Sequence, residues 1–412
     1  MPFQWPWMKR LIASAISWKD MEKHARKWYN RSMLKAFRYR LRPTAHQRTL
    51  LEQNLEICRW VYNETLAIRK NTWEQEHKSL SLYDTNKLLT SWKRSKPELA
   101  QVHSQVLQNA QARVDLALNG FFRRVKTGEE KPGYPRFRGH GRYDSFTFKQ
   151  SGFRLDEHGL LLSKIGLVKI VLHRPVEGKV KTLTVRRDSV GNWYACFSCV
   201  VEEKPLPPVN RIVGIDLGLT TFAIFSDGQK IERQRWMKQD AQDIARLQRK
   251  KERLPKGSPE RKKAVHALRH AYQRQTNRRN NFSHQESRKL VNNYQWIVFE
   301  DLDIRGMQSE GNHLINRGIA DVAWGQFVRH TTEKAAEAVR GVVRVDPRNT
   351  TQLCSGCGEM VPKGLHVRKH HCPHCGLELG RDQNAALNIL ARGLASFRLG
   401  PVEAAGLLVP AE

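Results

Sequence analysis

Acidic residues are scarce in this chain. Forty Asp and Glu face 71 Lys and Arg across 412 residues, leaving a formal net charge of +31 with histidine neutral. So basic a chain points to a polyanionic partner, because Lys and Arg contacts with phosphates release condensed counterions and that release dominates nucleic-acid affinity. A solvated basic surface, an anionic lipid surface and a structural RNA-binding role are the competing readings at this stage. Long apolar runs are missing as well. Nothing approaches the ~18 residues of a membrane span, so no membrane partner is expected, and the apolar stretch from Leu11 to Ile16 is too short for a secretory signal. Cysteine is sparse and odd in number, at seven. That disfavours a disulfide framework and favours a metal site in a reduced, cytoplasmic compartment. Internal repeats are absent. The residues present exclude wholesale disorder: 11 Trp and 15 Phe supply large apolar groups, and the length suits two to four domains of roughly 100–200 residues.

Residues 1–32 are a Trp-rich basic lead, set apart from the rest of the chain. Phe37, Tyr39 and Leu41 then alternate with Arg38, Arg40 and Arg42, a half-buried strand with a basic outer face. Thr44 with Gln47 makes a capping box for a helix through Leu50, Leu51, Leu55, Trp60 and Val61. Helical pattern continues over about 84–94 and 98–126. From about 145 to 203 the pattern is of strands, with a hairpin around 189–192. The prolines of 205–208 form a stiff linker. Beyond it, Ile212–Leu217 and Thr221–Ser226 read as strands, 237–292 as a basic helical hairpin broken at Pro255–Pro259, and Trp296–Phe299 as a buried strand. A helix over about 321–339, a strand Val342–Val345, a Cys-rich knuckle over 351–378 and a helix over 382–393 complete the order. Strands and helices alternating in this way predict an α/β sheet with a small metal module inserted before its last helix.

Cys354-x-x-Cys357 and Cys372-x-x-Cys375, with fourteen residues between the pairs, are the most specific signal. Each pair can grip one ion from a tight turn, and four thiolates complete a tetrahedral structural zinc site. Such a site is closed, so it is a fold element and not a reaction centre. Gly356, Gly358 and Gly376 stand where such knuckles need unusual backbone angles. His366, His370, His371 and His374 lie nearby and read as polar surface or phosphate contacts. Cys196 and Cys199 also spell CxxC, but in a strand-like run, where positions i and i+3 face opposite ways; ordinary packing is expected there, as for Cys58 on its helix.

Three acids stand in costly places. Asp216 interrupts the apolar strand Ile212–Leu217, Glu300 ends the strand Trp296–Phe299, and Asp382 opens the helix 382–390. A carboxylate at the end of a buried strand is expensive unless it is paired or holds a cation. If the first and fourth strands of the second half are neighbours, Asp216 and Glu300 face one another, and a helix crossing their ends can deliver Asp382. Two Mg²⁺ ions between the three carboxylates would then activate water and stabilise the leaving oxygen of a phosphodiester. Other roles stay open: Asp382 as a helix N-cap, and Glu300 as one of several loop acids with Asp301 and Asp303. Gly-Ile-Asp-Leu-Gly218 followed by Thr220-Thr221 also matches the first phosphate loop of actin-like and heat-shock chaperone ATPases. Their second phosphate loop and Gly-rich adenosine motif have no counterpart in 217–412.

Taken in order, Pro-Arg-Phe-Arg138, Gly-Ile-Asp-Leu-Gly218, Phe299-Glu-Asp-Leu302, the two CxxC pairs and Arg381-Asp-Gln-Asn-Ala-Ala386 resemble the TnpB family. These are transposon-encoded, RNA-guided DNA endonucleases related to type V CRISPR effectors, and the resemblance covers about 33–393. It implies a multidomain α/β chain: a wedge-type β-barrel with a helical recognition insert, then an RNase H-like (RuvC) nuclease domain with an inserted four-cysteine zinc ribbon. The implied boundaries are an extension over 1–32, the wedge over 33–205 with its insert at about 44–127, and the nuclease over 206–350. The ribbon follows at 351–378, the final helix at 379–395 and a tail at 396–412. By position, Asp216, Glu300 and Asp382 match the catalytic triad, holding two Mg²⁺, with one structural Zn²⁺ on Cys354, Cys357, Cys372 and Cys375. The implied partners are a guide RNA from the transposon end, one protein per RNA, and double-stranded target DNA cut beside a short adjacent motif. Base pairing then carries the specificity while the basic protein holds the backbones, and the protein joins the nucleoid when bound to DNA. The aromatics interleaved with Arg in 134–148 are candidates for nucleic-acid contact or for ordinary packing. Three rivals remain at this level: an RNA-guided repressor that does not cut, a transposase that joins DNA ends, and a non-catalytic zinc-ribbon RNA-binding protein.

Overall fold

The computed structural model describes residues 33–128, 131–364 and 366–396, so the readings made for 1–32 and for the tail after Ser396 lie outside the described residues. Two compact units make up the chain, one ending at Glu202 and the other starting at Glu203.

The first unit begins with β1 (Met33–Arg42), whose alternation buries Phe37, Tyr39 and Leu41. Its end at Thr44 is also the start of α1 (Ala45–Glu76). The Gln47 N–H donates to Thr44 Oγ1 at 3.3 Å while the Thr44 N–H donates to Gln47 Oε1 at 3.1 Å, the reciprocal box the sequence predicts. Helix α2 (Leu82–Ser95), a short 3₁₀ turn (Pro97–Gln101) and α3 (Ser104–Lys126) follow. Strands β2 (Ser145–Phe148), β3 (Phe153–Asp156), β4 (Gly159–Leu162), β5 (Gly166–Val171), β6 (Lys179–Arg187) and β7 (Trp193–Val201) then join β1 in an antiparallel sheet of order β2-β6-β7-β1-β5-β4-β3. The outermost strands, β2 and β3, are consecutive in the chain and are linked only by residues 149–152. The five steps from Phe148 to Phe153 reach at most about 18 Å, so the sheet curls until it is nearly closed, and the Phe148 and Phe153 rings stand 6.2 Å apart across the seam. In β7 burial alternates along the strand, which buries Cys199 and leaves Cys196 half-buried on the opposite face.

The second unit carries β8 (Ile212–Leu217), β9 (Ala223–Phe225), β10 (Lys230–Ile231), α4 (Trp236–Gln239), α5 (Ala241–Arg253), α6 (Pro259–Asn293) and β11 (Trp296–Glu300). After these come α7 (Ile304–Glu310), α8 (His313–Val322), α9 (Trp324–Glu337), β12 (Gly341–Val345), β13 (Lys369–His371), β14 (Glu378–Gly380) and α10 (Arg381–Ser396). Its main sheet has the order β10-β9-β8-β11-β12, with β8, β11 and β12 parallel. Parallel strands are covered on both faces, and the side chains sort accordingly. Val213, Ile215, Ile297 and Phe299 pack with Leu290 and Val291 of α6 and Phe327 of α9. Trp296, Val298 and Ile212 pack on the other side with Ile389 of α10.

Two glycines let α10 lie against that second face. A Cβ on Gly214 would stand 2.3 Å from Ala386 O and 2.5 Å from Leu390 N, and one on Gly393 would stand 2.5 Å from Val298 Cγ2. The helical hairpin expected around Pro255–Pro259 is present, with Ser258 capping α6 through the Arg261 N–H at 3.1 Å. The single helix expected over about 321–339 is not. Ala323 takes a left-handed φ of 52° and separates α8 from α9. Most of α7 and α8 falls in residues 304–320, where the reading from sequence placed no element, and Asp303 caps α7 by accepting the Gly306 N–H at 2.9 Å. Among the described residues no helix is long and apolar enough to cross a membrane.

Candidate active site and metal centre

Period-two geometry places the acids. Asp216 shares the parity of Ile212 and Gly214 in β8, and Glu300 that of Trp296 and Val298 in β11, so both belong to the face that α10 covers. The parallel register pairs Phe299 with Ile215, and the next step along each strand sets Glu300 beside Asp216. Asp382 lies in the first turn of α10, inside the helix and not at its N-cap, and accepts a hydrogen bond from Arg381 Nε at 3.2 Å. Burial lifts the Asp216 carboxyl well above the ordinary carboxylate range, the fields of Glu300 and Asp382 lift it further, and Arg381 opposes them. Glu300 is also raised, chiefly by burial, against the Thr350 hydroxyl and the charge of Arg392.

Asp216 therefore feels two acids that arrive on two other elements. Carboxylate oxygens are the hard donors that Mg²⁺ takes, and a divalent cation would relieve the repulsion at Asp216. The residues present fit such an ion.

The four cysteines form the second centre. All their Sγ atoms lie within 4.8 Å of one another, with Cys354–Cys375 and Cys357–Cys372 both at 3.6 Å. Four sulfurs about 2.3 Å from one tetrahedral Zn²⁺ stand roughly 3.8 Å apart, so the cluster fits that ion. Burial pushes the Cys354 thiol up to about 12, against backbone N–H groups of Cys357 and Gly356 that pull it down. Two turns of one design build the cluster. Cys354 N–H donates to Glu359 O and Gly358 N–H to Cys354 O, both at 2.9 Å; Cys372 N–H donates to Leu377 O at 3.0 Å and Gly376 N–H to Cys372 O at 2.9 Å.

Gly358 and Gly376 take left-handed φ values of 83° and 70°, as the sequence predicts. Gly356 does not. It is small for another reason, since a Cβ there would stand 3.1 Å from Leu377 Cδ2 and 3.3 Å from the Cys375 sulfur. His366, His371 and His374 are exposed, whereas His370 is fully buried against Lys363 and is not the surface contact the sequence suggests. Strand β13 carries it inward, a position that the density of nearby polar residues hides.

Sequence reasoning missed the side chains that join the two centres. Asn384 accepts the Ser355 N–H at 2.9 Å and donates to Leu353 O at 2.7 Å, and Asn388 donates to Thr350 O and Leu353 O at 2.8 Å each. Both are buried, one helical turn apart on α10. Their signal was the i, i+4 spacing of amides on an apolar helix face. The aromatics of 134–148 divide: Tyr143, Phe146 and Phe148 are core, while Tyr134 and Phe137 are exposed. Arg138 is held by Asn63, which accepts its N–H at 2.7 Å and donates to its carbonyl at 3.0 Å.

Three family models match the chain: "Helix-turn-helix domain" over 33–78, "Probable transposase" over 196–310 and "Cas12f1-like, TNB domain" over 324–389. The first description does not fit the geometry, because 33–78 holds β1 and the single 32-residue helix α1. The second spans Asp216 and Glu300, and the third spans the cysteine cluster and Asp382. A protein of Streptomyces pristinaespiralis named "Putative RNA-guided DNA endonuclease" is 34% identical over 374 residues, 89% of this chain and 91% of that one. "TnpB-like protein L79" of Acanthamoeba polyphaga mimivirus is 29% identical over 242 residues, 55% of this chain and 46% of its own. Among solved structures, a Cas12f1–sgRNA–target DNA complex superposes with a TM-score of 0.54 at 12% identity, covering 87% of this chain and 98% of that one, which is a likeness of fold. With 34% identity over nearly the whole length of the Streptomyces protein, and with the acids and cysteines of the motif set present, the chain belongs to the TnpB family.

Proposed function

We propose that the chain is an RNA-guided, metal-dependent DNA endonuclease, which binds a guide RNA derived from the transposon end and cuts double-stranded target DNA beside a short adjacent motif. The observation that carries this reading is a buried Asp216 that feels the charges of Glu300 and Asp382 on the α10 side of a parallel sheet, in a chain of net charge +31. The second unit is read as a RuvC-type nuclease of RNase H-like fold, interrupted by a zinc ribbon over 351–378. The first is read as the wedge barrel with its helical recognition insert.

Asp216, Glu300 and Asp382 would hold two Mg²⁺ ions, and those ions would supply the activation of water and the stabilisation of the leaving oxygen in phosphodiester hydrolysis. The chain's own part is to fix the oxygens. The β8–β11 register sets two of them side by side, Gly214 and Gly393 bring the third in on α10, and Arg381 steadies Asp382. Cys354, Cys357, Cys372 and Cys375 would hold one structural Zn²⁺. The excess of Lys and Arg suits an RNA scaffold and an RNA–DNA heteroduplex held by their backbones. One protein per RNA and a cytoplasmic, nucleoid-associated location complete the reading.

The test is to express the chain with its native flanking DNA, sequence the RNA that co-purifies, and offer a plasmid library with a matching target beside randomised flanks. Mg²⁺-dependent cutting confined to one flanking motif is the expected result. Target binding without cutting would move the assignment to a guided repressor. Joined DNA ends would move it to a transposase, and the absence of any discrete RNA would overturn it.

A further inference from the structure

Thr350 lies between β12 and the first cysteine of the cluster and is buried. Its hydroxyl donates to Glu300 Oε1, with Pro347 O as a second acceptor at 3.0 Å. Among the described residues no other hydrogen bond reaches the Glu300 carboxylate, so one oxygen is occupied and Oε2 stays open. The hydroxyl itself is held in place. Thr350 is β-branched and therefore stiff at χ1, and its carbonyl is gripped by Asn388 Nδ2 at 2.8 Å. Asn388 and Asn384 also fasten Leu353 and Ser355 to α10, the helix whose first turn carries Asp382. A chain of buried hydrogen bonds thus runs from one acid to the element bearing another: Glu300 to Thr350, Thr350 to Asn388, and Asn388 along the helix to Asp382.

We propose that Thr350 is the positioning residue of the carboxylate centre. Its hydroxyl fixes Glu300 with one oxygen engaged and the other presented to a divalent cation, and the asparagine pair references that geometry to the helix of Asp382. The proposal rests on the nuclease reading above for its chemistry. Its geometry stands apart from that reading, because the buried bond to Glu300 exists whatever the ion does afterwards. A buried Glu without this bond turns about its terminal torsion, a broad two-fold well, and offers its oxygens in no single direction. Partners that orient metal-holding carboxylates typically contribute a factor of about 10–100 in metal affinity or activity.

The experiment compares the parent, Thr350→Val and Thr350→Ser, each as the full chain with its co-purified RNA. Valine keeps the shape and removes the hydroxyl, whereas serine keeps the hydroxyl and removes the methyl. Three quantities are read: the Mg²⁺ concentration giving half-maximal cleavage, the Kd for Mn²⁺ from a binding isotherm that needs no cleavage, and the zinc and RNA content. Thr350→Val is expected to raise both metal constants by about 10–100-fold with zinc and RNA unchanged, and Thr350→Ser to recover most of the loss. Metal constants equal to those of the parent in Thr350→Val would overturn the proposal. So would a serine variant as defective as valine, or a valine variant that sheds zinc or RNA, since the residue would then act through packing or folding. If the parent itself fails to cut a guided target, the nuclease reading fails, and the Mn²⁺ isotherms still decide the role of Thr350.

Discussion

The chain holds two sets of like side chains built in opposite ways. Four thiols come from two turns within 353–377 that repeat the same hydrogen bonds, and Asn384 and Asn388 fasten the first of those turns to α10. Three carboxylates come from β8, β11 and α10, separated by 300 − 216 = 84 and 382 − 300 = 82 residues. The first cluster takes its sulfur geometry from its own turns and glycines. The second needs a strand order, a register, and a helix close enough to the sheet that Gly214 has no room for a Cβ. A local cluster should therefore fail locally, and an assembled one should fail from a distance.

The largest effect is expected from Asp216→Ala. If Asp216 holds the metal as proposed, its loss should cost more than the ~100-fold at the upper end for an outer partner, while guide RNA is expected to stay bound, its contacts being expected from Lys and Arg. Cleavage rates and RNA content measured on one preparation check this, and a variant that loses its RNA would count against the catalytic assignment. Gly214→Ala comes next and tests action at a distance. The new methyl would meet Ala386 O at 2.3 Å, a backbone atom that cannot swing away. Overpacking of this kind costs about 1–3 kcal/mol, and a displacement near 1 Å at a catalytic group can cost about 10²-fold in rate. Lower thermal stability together with slower cleavage is the expected pair of results. Normal cleavage would show that Asp382 does not depend on this contact.

Cys372→Ser should break only the local cluster. Zinc measured by elemental analysis is expected to disappear, and amide exchange to quicken over 352–378 while β8 and β11 keep their protection. Faster exchange in β8 would mean that the two centres are one cooperative unit.

The same contrast explains what the sequence made legible. The thiol cluster was readable from spacing because four cysteines and two left-handed glycines spell a turn. The acids were readable as anomalies, charged groups at the ends of apolar strands, and the strand-neighbour condition set for Asp216 and Glu300 is met by β8 and β11. Thr350 was not legible, and for Asn384 and Asn388 the i, i+4 spacing was a faint signal that says nothing of their partners. Each forms a bond across tens of residues, and uncharged polar residues near a helix or turn look alike until the fold brings them together. The break at Ala323 was hidden for a related reason. Alanine is the best helix former, so tertiary packing alone puts it at φ 52°.

The smallest effect sharpens the comparison most. Cys196 and Cys199 carry the same CxxC spelling as the cluster, but on β7, where alternation turns one inward and the other to the opposite face. Burial pushes both thiols up, and for Cys196 the nearby Arg38 and Arg186 oppose it only in part. Two sulfurs on opposite faces of a strand cannot share an ion. Cys196→Ala should leave the zinc content at the parent value and change stability by about 1 kcal/mol, the ordinary cost of a single substitution at a half-buried position. A fall in zinc would mean that the pair binds metal after all. An unchanged value would show that the backbone under the two cysteines, and not their spacing in sequence, makes a metal site.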